Sequence, residues 1–191
     1  AALDANAAIC RLDPVDPEAR AGVEAGLSAS GRFEELAQLL EWEASQLPAP
    51  EDRRRAFFAL LDLHRAHGLA KRAVRTLADA LSADLPDDAE LADARIALVE
   101  SDPDSDPAVV FDLLERRVEL GRSKAERVTW LERLARFAEE TTKDDERAYS
   151  ALSELLDLDP TNAAALDRAE RIAERQGRVD RRIELLEIRA E

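Results

Sequence analysis

One phrase appears twice in the chain: "CRLDPVDPEARAGVEAGLSASGR" spans residues 10–32 and "LDLDPTNAAALDRAERIAERQGR" spans residues 156–178. The two segments align without a gap at an offset of 146 residues, and they share Asp-Pro near the start and Gly-Arg at the end. Proline cannot continue a helix interior, and glycine tolerates the left-handed conformation that ends a helix. Each phrase therefore predicts one helix between two boundaries, and its recurrence predicts a repeat protein.

The composition favours helices throughout the chain. Of its 191 residues, 46% are hydrophobic, 36% are charged and only 4% are aromatic. Alanine, leucine, glutamate and arginine dominate, and all four are good helix formers, whereas residues that favour strands are sparse. We therefore expect an all-α protein without strands. The preference for arginine over lysine, with abundant alanine, also leads us to expect a bacterial source.

Helix boundaries recur about every 15 to 20 residues, which is an ordinary helix length. Asp16 and Asp106 each precede a proline, so each is expected to cap a helix that has proline at its first position. Thr161 or Asn162 is expected to cap a later helix. The short polar turns between segments predict that consecutive helices run antiparallel.

The segments group into helix pairs with a period of about 34 to 38 residues. Such a fixed period is typical of a helical solenoid, in which each pair buries its apolar face against its neighbours. We expect a leading helix at about 2–12. The predicted pairs cover residues 16–47, 51–84, 87–120, 124–158 and 161–190.

The repeated junction resembles that of the tetratricopeptide repeat (TPR) family. In that family a helix ends in "LxLDPxN" and is followed by a first helix, a glycine turn and a second helix, and "LDLDPTNAAAL" matches this ending closely. Gly31 and Gly177 stand at the turn position. Phe33 stands where a turn aromatic is usual, and Ala73 and Ala148 stand at a small-residue position of the second helix.

The resemblance implies a right-handed α-solenoid of antiparallel helix pairs, with about five pairs plus the leading helix, as a single domain over residues 1–191. It also implies a concave groove that is lined by the first helices and binds a protein or peptide. One departure is the small glycine of the first helix, which Glu24, Leu61 and Glu170 replace here. Bulkier side chains there predict altered helix crossing angles.

The groove-facing spacing of the family, carried onto this sequence, gives ten candidate partner-binding residues. Arginine and large aromatic residues are prominent among them, and these types anchor protein interfaces. The alternative for the aromatic residues is packing between helices, because apolar residues at helical spacing usually belong to the core. The candidates are Arg55, Phe58, Asp62, Arg65, Trp130, Arg133, Phe137, Asp167, Arg171 and Arg175.

The sequence predicts no catalytic residue, no metal site and no cofactor. His64 and His67 lie in one helix and lack an obvious third ligand, so we expect His64 to pack and His67 to interact with the helix dipole. Cys10 stands at an apolar position of the repeat and is expected to be a small core residue. No phosphate-binding glycine loop or nucleophile elbow is present.

The stretch "SDPDSDP" (residues 101–107) has the alternating aspartates of a calcium loop. The rest of the pattern fails, because Pro107 stands where that loop needs glycine and Leu113 stands where it needs a bidentate glutamate. We interpret the stretch as an acidic turn in which Ser105 or Asp106 caps the next helix.

The net charge of −15 makes nucleic acid and anionic membranes unfavourable partners. No membrane-length apolar run and no signal peptide is visible, so we expect a cytoplasmic protein. Since the family resemblance implies binding and no catalytic set is present, we expect that the protein is not an enzyme. The sequence has no methionine, which leads us to expect a piece of a longer protein. We expect a protein or peptide partner and possible self-association through the array ends. The alternative is an architectural spacer with no partner of its own.

Overall fold

The computed structural model describes residues 13, 16–69 and 71–190, and the regular structure in these residues is helical, without strands. The all-α prediction is thereby confirmed. The expected leading helix at 2–12 and Cys10 lie outside the described residues. The α-helices are α1 Pro17–Ala29, α2 Phe33–Gln46, α3 Pro50–His67, α4 Lys71–Asp84, α5 Ala89–Glu100, α6 Pro107–Glu119, α7 Lys124–Phe137, α8 Asp145–Leu158, α9 Ala163–Arg175 and α10 Val179–Ala190.

Side-chain caps begin several of these helices where the sequence places them. The Asp16 carboxylate accepts a hydrogen bond from the Ala19 backbone N–H at 2.8 Å, and the Asp106 carboxylate caps α6 by accepting from the Ala108 backbone N–H at 2.9 Å. At the start of α9 it is Asn162, and not Thr161, whose side chain accepts from the backbone N–H of the third helical residue. These bonds satisfy donors that the first turn of a helix leaves free.

Left-handed residues end the helices that turn sharply. Gly31, Gly68 and Gly177 have φ values of +69°, +71° and +66°. Only glycine adopts this conformation without strain, so these three glycines fix the turn positions. Lys143 takes the same role with φ +55°, after a five-residue π-helical turn, Ala138–Thr142, that continues α7. The sequence places a boundary at Lys143 but contains no signal for the π turn.

The chain divides at Pro86 into two compact units. The first contains α1–α4, in which α2 and α3 make the most extensive helix contact. The largest fully buried side chains of this unit are Leu40, Phe57, Leu60, Leu61 and Leu81. They follow helical spacing along α3 in particular, so each helix turns one apolar face toward the unit's core.

The second unit begins at Asp87 and contains α5–α10, in which each helix packs on the next in chain order. Its core is continuous from Ile96 of α5 through Leu131, Leu152 and Ile172 to Leu185 of α10. Packing between sequential helices is the arrangement expected of a helical repeat. The single-domain organisation over residues 1–191 stays a prediction.

Candidate functional site

The outward surface of α7 carries a concavity of about 310 Å³. Two of the ten candidate residues, Trp130 and Arg133, line it. The other lining residues are Thr129, Glu132 and Arg136. Arg136 is exposed, and in the described part of the chain its guanidinium has no ion-pair partner. The concavity therefore combines an aromatic edge with a free cationic group.

Trp130 is held by two arginines. The guanidinium carbons of Arg117 and Arg133 lie 4.7 Å and 4.9 Å from the centroid of its ring, within the range of a cation–π interaction. Arg117 is itself 5% exposed and bonds Asp93 of α5 and Glu126 of α7. Its hydrogen bond lowers the pKa of Glu126, and the Arg122 backbone N–H adds to this effect. Because its neighbours are fixed in this way, Trp130 sits in a rigid setting.

The candidate aromatic residues all lie at the edge of the core. Trp130 and Phe137 are partly buried and pack against the core of the second unit. Phe58 is also partly buried, with its ring edge-on to that of Phe57 at 5.1 Å and Arg54 above it at 4.7 Å. These positions favour packing between helices as the main role of the aromatic residues. Trp130 keeps an edge at the surface concavity.

Three candidate arginines are bound to carboxylates within the chain. Arg55 of α3 contacts Glu24 of α1 through two hydrogen bonds of 3.1 Å. Arg133 of α7 bonds Glu100 of α5, and Arg175 of α9 bonds Asp145 of α8, each at 2.5 Å. The partners are separated by 31, 33 and 30 residues, which is close to one repeat. These arginines therefore connect one helix pair to the preceding one.

The remaining candidates are exposed. Asp62 and Arg65 lie on one face of α3, with 3.5 Å between their charged groups. Asp167 of α9 pairs with Arg189 of α10 at 2.5 Å. Arg171 donates from Nε to the carbonyl of Asp167 at 3.2 Å, which leaves most of its guanidinium accessible. Arg171 is thus the candidate arginine with the most available charge.

The structure brings together two groups of candidates in the second unit. Trp130, Arg133 and Phe137 share α7, and Asp167, Arg171 and Arg175 share α9. Arg168 of α9 bonds Glu139 of the π turn, which joins α9 to the end of α7. The remaining candidates, Arg55, Phe58, Asp62 and Arg65, share α3 in the first unit.

Two buried arginines were missed by the sequence analysis. Arg20 is 4% exposed and lies 3.5 Å from the fully buried carboxylate of Glu43, and Arg117 occupies the network under Trp130. A signal existed for both, since a charged residue at an apolar repeat position predicts a buried ion pair. Arg20 aligns with Leu166 in the repeated phrase, and Arg117 follows Val110 at the seventh position of its apolar stripe.

The described residues offer few groups suited to metal binding or catalysis. No group of three or more His, Cys, Asp or Glu side chains there is arranged to hold a metal ion. His67 stacks on Phe33 with ring centroids 4.0 Å apart, and His64 is partly buried in α3. Over residues 13, 16–69 and 71–190, no helix combines the length and apolar character needed to cross a membrane.

Comparison with known proteins adds one structural likeness. No family model matches the chain, and no curated protein matches it. Among solved structures, the chain is similar to the crystal structure of BtubC (BKLC) from P. vanneervenii, at 14% sequence identity and a TM-score of 0.46. That alignment covers 99% of this chain and 87% of the BtubC chain.

Proposed function

We propose that the protein is a protein-interaction scaffold that binds a segment of a partner through the exposed surface of the first helices α7 and α9 of its second unit. The observation that carries this proposal is the concavity on α7, where an edge of Trp130 adjoins Arg133 and the unpaired Arg136. Aromatic and arginine side chains held in place beforehand lose little entropy on binding, which is why these types anchor interfaces.

The charges suggest the chemistry of the partner segment. Arg136 and Arg171 present accessible guanidinium groups on a chain whose net charge is −15. A local positive group on an acidic protein favours a segment that carries a carboxylate near an apolar side chain. We therefore propose an extended or helical protein segment of that kind, with no role for nucleic acid, for a membrane or for catalysis.

An experiment with matched arginine variants tests this function. We expect Arg136→Glu and Arg171→Glu together to abolish recovery of the partner in a pull-down from the source cells. Arg72→Glu is the control, because Arg72 is exposed on the second helix α4. Arg133 is unsuitable for charge reversal, since it bonds Glu100. Equal recovery by the double variant and the wild type would exclude this surface as the binding site.

The proposal includes a degenerate TPR-like architecture and a cytoplasmic location. The architecture is supported by the helix pairs and by the left-handed glycines Gly31 and Gly177, which stand at the same point of the repeated phrase. In such a repeat the first helices of successive pairs are neighbours, which suits an elongated partner segment.

An architectural spacer is the second candidate function, and one observation favours it. Three candidate arginines form ion pairs with carboxylates about one repeat away, and these pairs connect neighbouring helix pairs and stiffen the chain. They are Arg55, Arg133 and Arg175. Replacement of residues 16–190 by a helical linker of equal length distinguishes the two functions. If the protein that carries the linker keeps its activity in the cell, the helical array acts as a spacer. Loss of that activity supports the interaction scaffold.

A further inference from the structure

The outer face of α10 exposes a row of large apolar side chains. Val179, Ile183 and Leu186 are 65%, 53% and 56% exposed and follow one another at helical spacing. Leu185, on the opposite face, is buried in the core at 3% exposure. We call Val179, Ile183 and Leu186 the end face. Contiguous exposed apolar side chains of this kind mark an interaction site.

In the preceding pair, the positions that match this face are buried. Counted from the left-handed residues Lys143 and Gly177, Tyr149 of α8 corresponds to Ile183, and Leu152 corresponds to Leu186. Tyr149 and Leu152 are only 8% and 0% exposed. Helix α9 packs on α8, and Arg181 of α10 lies over the Tyr149 ring at 4.1 Å. The end face is thus the position on which a further helix of the α9 type fits.

The charges along the first helices define that helix further. Glu100 near the end of α5 accepts Arg133 of α7, and Glu139 near the end of α7 accepts Arg168 of α9. Glu174 occupies the corresponding position at the end of α9. It stands three residues before the left-handed Gly177, whereas Glu139 stands four residues before the left-handed Lys143. The π turn accounts for the additional residue. Glu174 is exposed, and no described residue forms an ion pair with it.

A cavity of about 480 Å³ joins Glu174 to the end face. It lies between α9 and α10 and is lined by Glu174, Arg182 and Leu186, with Asp167, Glu170 and Arg171 completing the lining. An incoming helix therefore meets a carboxylate at one side of an apolar strip. In α9 the matching features are Arg168 and the buried small residues Ala165 and Ala169 on either side of it.

A second copy of this chain does not supply these features at the start of its described residues. Its first described helix, α1, aligns with α9 through the repeated phrase, and Gly22 stands there at the position of Arg168. Stacking of α1 on the end face would leave Glu174 without a cation. The chemistry of the face thus distinguishes an arginine-bearing helix from the first helix of this chain.

We propose that the end face of α10, together with Glu174, docks one helix of a partner protein. That helix carries an arginine between small apolar residues, as Arg168 stands between Ala165 and Ala169 in α9. Leu186 and Ile183 contact the small residues, and Glu174 accepts the arginine. This surface lies apart from the α7 concavity, although Arg171 lines the cavity beside Glu174 and also belongs to the α9 part of the surface proposed above. The proposal does not depend on that function, because its test changes Ile183 and Glu174 and leaves Arg171 in place.

The probe is a peptide with the sequence of residues 159–178 of this chain. This segment contains α9, whose arginine and small residues define the helix that we expect the end face to bind. It is labelled at its N-terminus and titrated with the full chain in a fluorescence anisotropy assay. We expect saturable binding that falls at least tenfold with Ile183→Asp. Val109→Asp is the matched control, since Val109 is 46% exposed on α6, away from the end face, and we expect it to leave binding unchanged.

A charge swap tests the arginine. We expect the Glu174→Arg protein to bind the peptide at least fivefold more weakly, and the peptide with Arg168→Glu to bind that variant more tightly than it binds the wild type. Circular dichroism checks that each variant is folded.

Three results overturn the proposal. Peptide binding that Ile183→Asp leaves intact would mean that the peptide replaces α9 elsewhere in the chain. A failed charge swap would remove Glu174 from the site. Concentration-dependent dimerisation that Ile183→Asp abolishes would make a second copy the occupant.

Discussion

Glu43 of α2 is a carboxylate with no exposed surface. Arg55 bonds it at 2.8 Å, and Arg20 lies 3.5 Å away and is almost as fully buried. Removal of one partner from such a buried pair leaves an uncompensated charge. Burial raises the pKa of Glu43, and the nearby Glu24 carboxylate adds to this rise, while Arg55 and Arg20 oppose it. The stability of the first unit therefore depends on the ionisation state of Glu43.

Glu43→Ala should lower the free energy of unfolding by about 3 kcal/mol at neutral pH, because Arg20 is left buried without its carboxylate. Glu41→Ala on the same helix is the control and should change it by no more than about 0.5 kcal/mol, since Glu41 is exposed. Urea unfolding followed by circular dichroism measures both. A loss for Glu43→Ala as small as that of the control would show that the pair contributes nothing to stability.

The raised pKa of Glu43 also sets the direction of a pH dependence. The folded chain keeps the Glu43 proton above the usual value of 4.5, at which the unfolded chain releases it. The stability linked to this group is therefore present below 4.5 and is lost as the pH rises through the folded pKa. The difference between the wild type and Glu43→Ala should be larger at pH 4 than at pH 7, in the same urea experiment.

At the scale of one helix, α7 begins with reciprocal side-chain bonds. The Ser123 hydroxyl accepts a hydrogen bond from the Glu126 backbone N–H at 3.1 Å, and the Glu126 carboxylate accepts from the Arg122 backbone N–H at 3.1 Å. Glu126 also bonds Arg117, which supports Trp130. The cap of this helix is thus connected to the surface on which the proposed function depends.

Ser123→Ala should lower the free energy of unfolding of the second unit by about 1 kcal/mol, because the first turn of α7 loses its side-chain cap. Trp130 fluorescence during urea unfolding, in a Trp42→Phe background, reports this unit alone. The matched control is Ser153→Ala, an exposed position inside α8, which should be neutral or stabilise by up to about 0.5 kcal/mol. An unchanged unfolding midpoint for Ser123→Ala would contradict the role of the cap.

The helices show which features a sequence can reveal. Caps such as Asp16 and turns such as Gly31 are local, because propensity and backbone conformation at a few neighbouring residues decide them. The π turn after α7 has no such local signal. The roles of Arg133 and Arg175 were also beyond local patterns, because their carboxylate partners lie 33 and 30 residues away and meet them only through packing.

The candidate site divides along the same line. The groove-facing spacing implied by the family resemblance gave Trp130 and Arg133 as candidates on one helix, and the structure places both at the α7 concavity. The sequence pattern did not identify Arg136. This residue matters for the proposed binding site because its guanidinium has no ion-pair partner within the described part of the chain. An absence of partners depends on the whole packing arrangement, so a helical spacing alone does not contain it.

At the scale of the whole molecule, each compact unit has its own tryptophan. Trp42 lies on α2 in the first unit, 38% exposed, and Trp130 lies on α7 in the second. Each unit also has buried residues of its own, so we expect each to unfold in its own cooperative transition.

We expect the two units to unfold at different urea concentrations. Trp42→Phe leaves Trp130 as the only tryptophan reporter, and Trp130→Phe leaves Trp42. The two variants should give fluorescence midpoints that differ, while circular dichroism of the wild type should show a broad or biphasic transition. Coincident fluorescence midpoints, with one sharp transition by circular dichroism, would indicate a single cooperative domain and so support the single-domain prediction.

The π turn at Ala138–Thr142 has a consequence for how this gene tolerates change in length. It holds one residue more than the corresponding end of α9, and the apolar positions on both sides still match in residue type: Leu131 and Leu134 align with Leu166 and Ala169, and Tyr149 and Leu152 align with Ile183 and Leu186. A one-codon insertion near a helix end is thereby absorbed as a local bulge and does not rotate the downstream apolar face away from the core. Repeats of unequal length then remain compatible neighbours, and drift in length leaves the array intact.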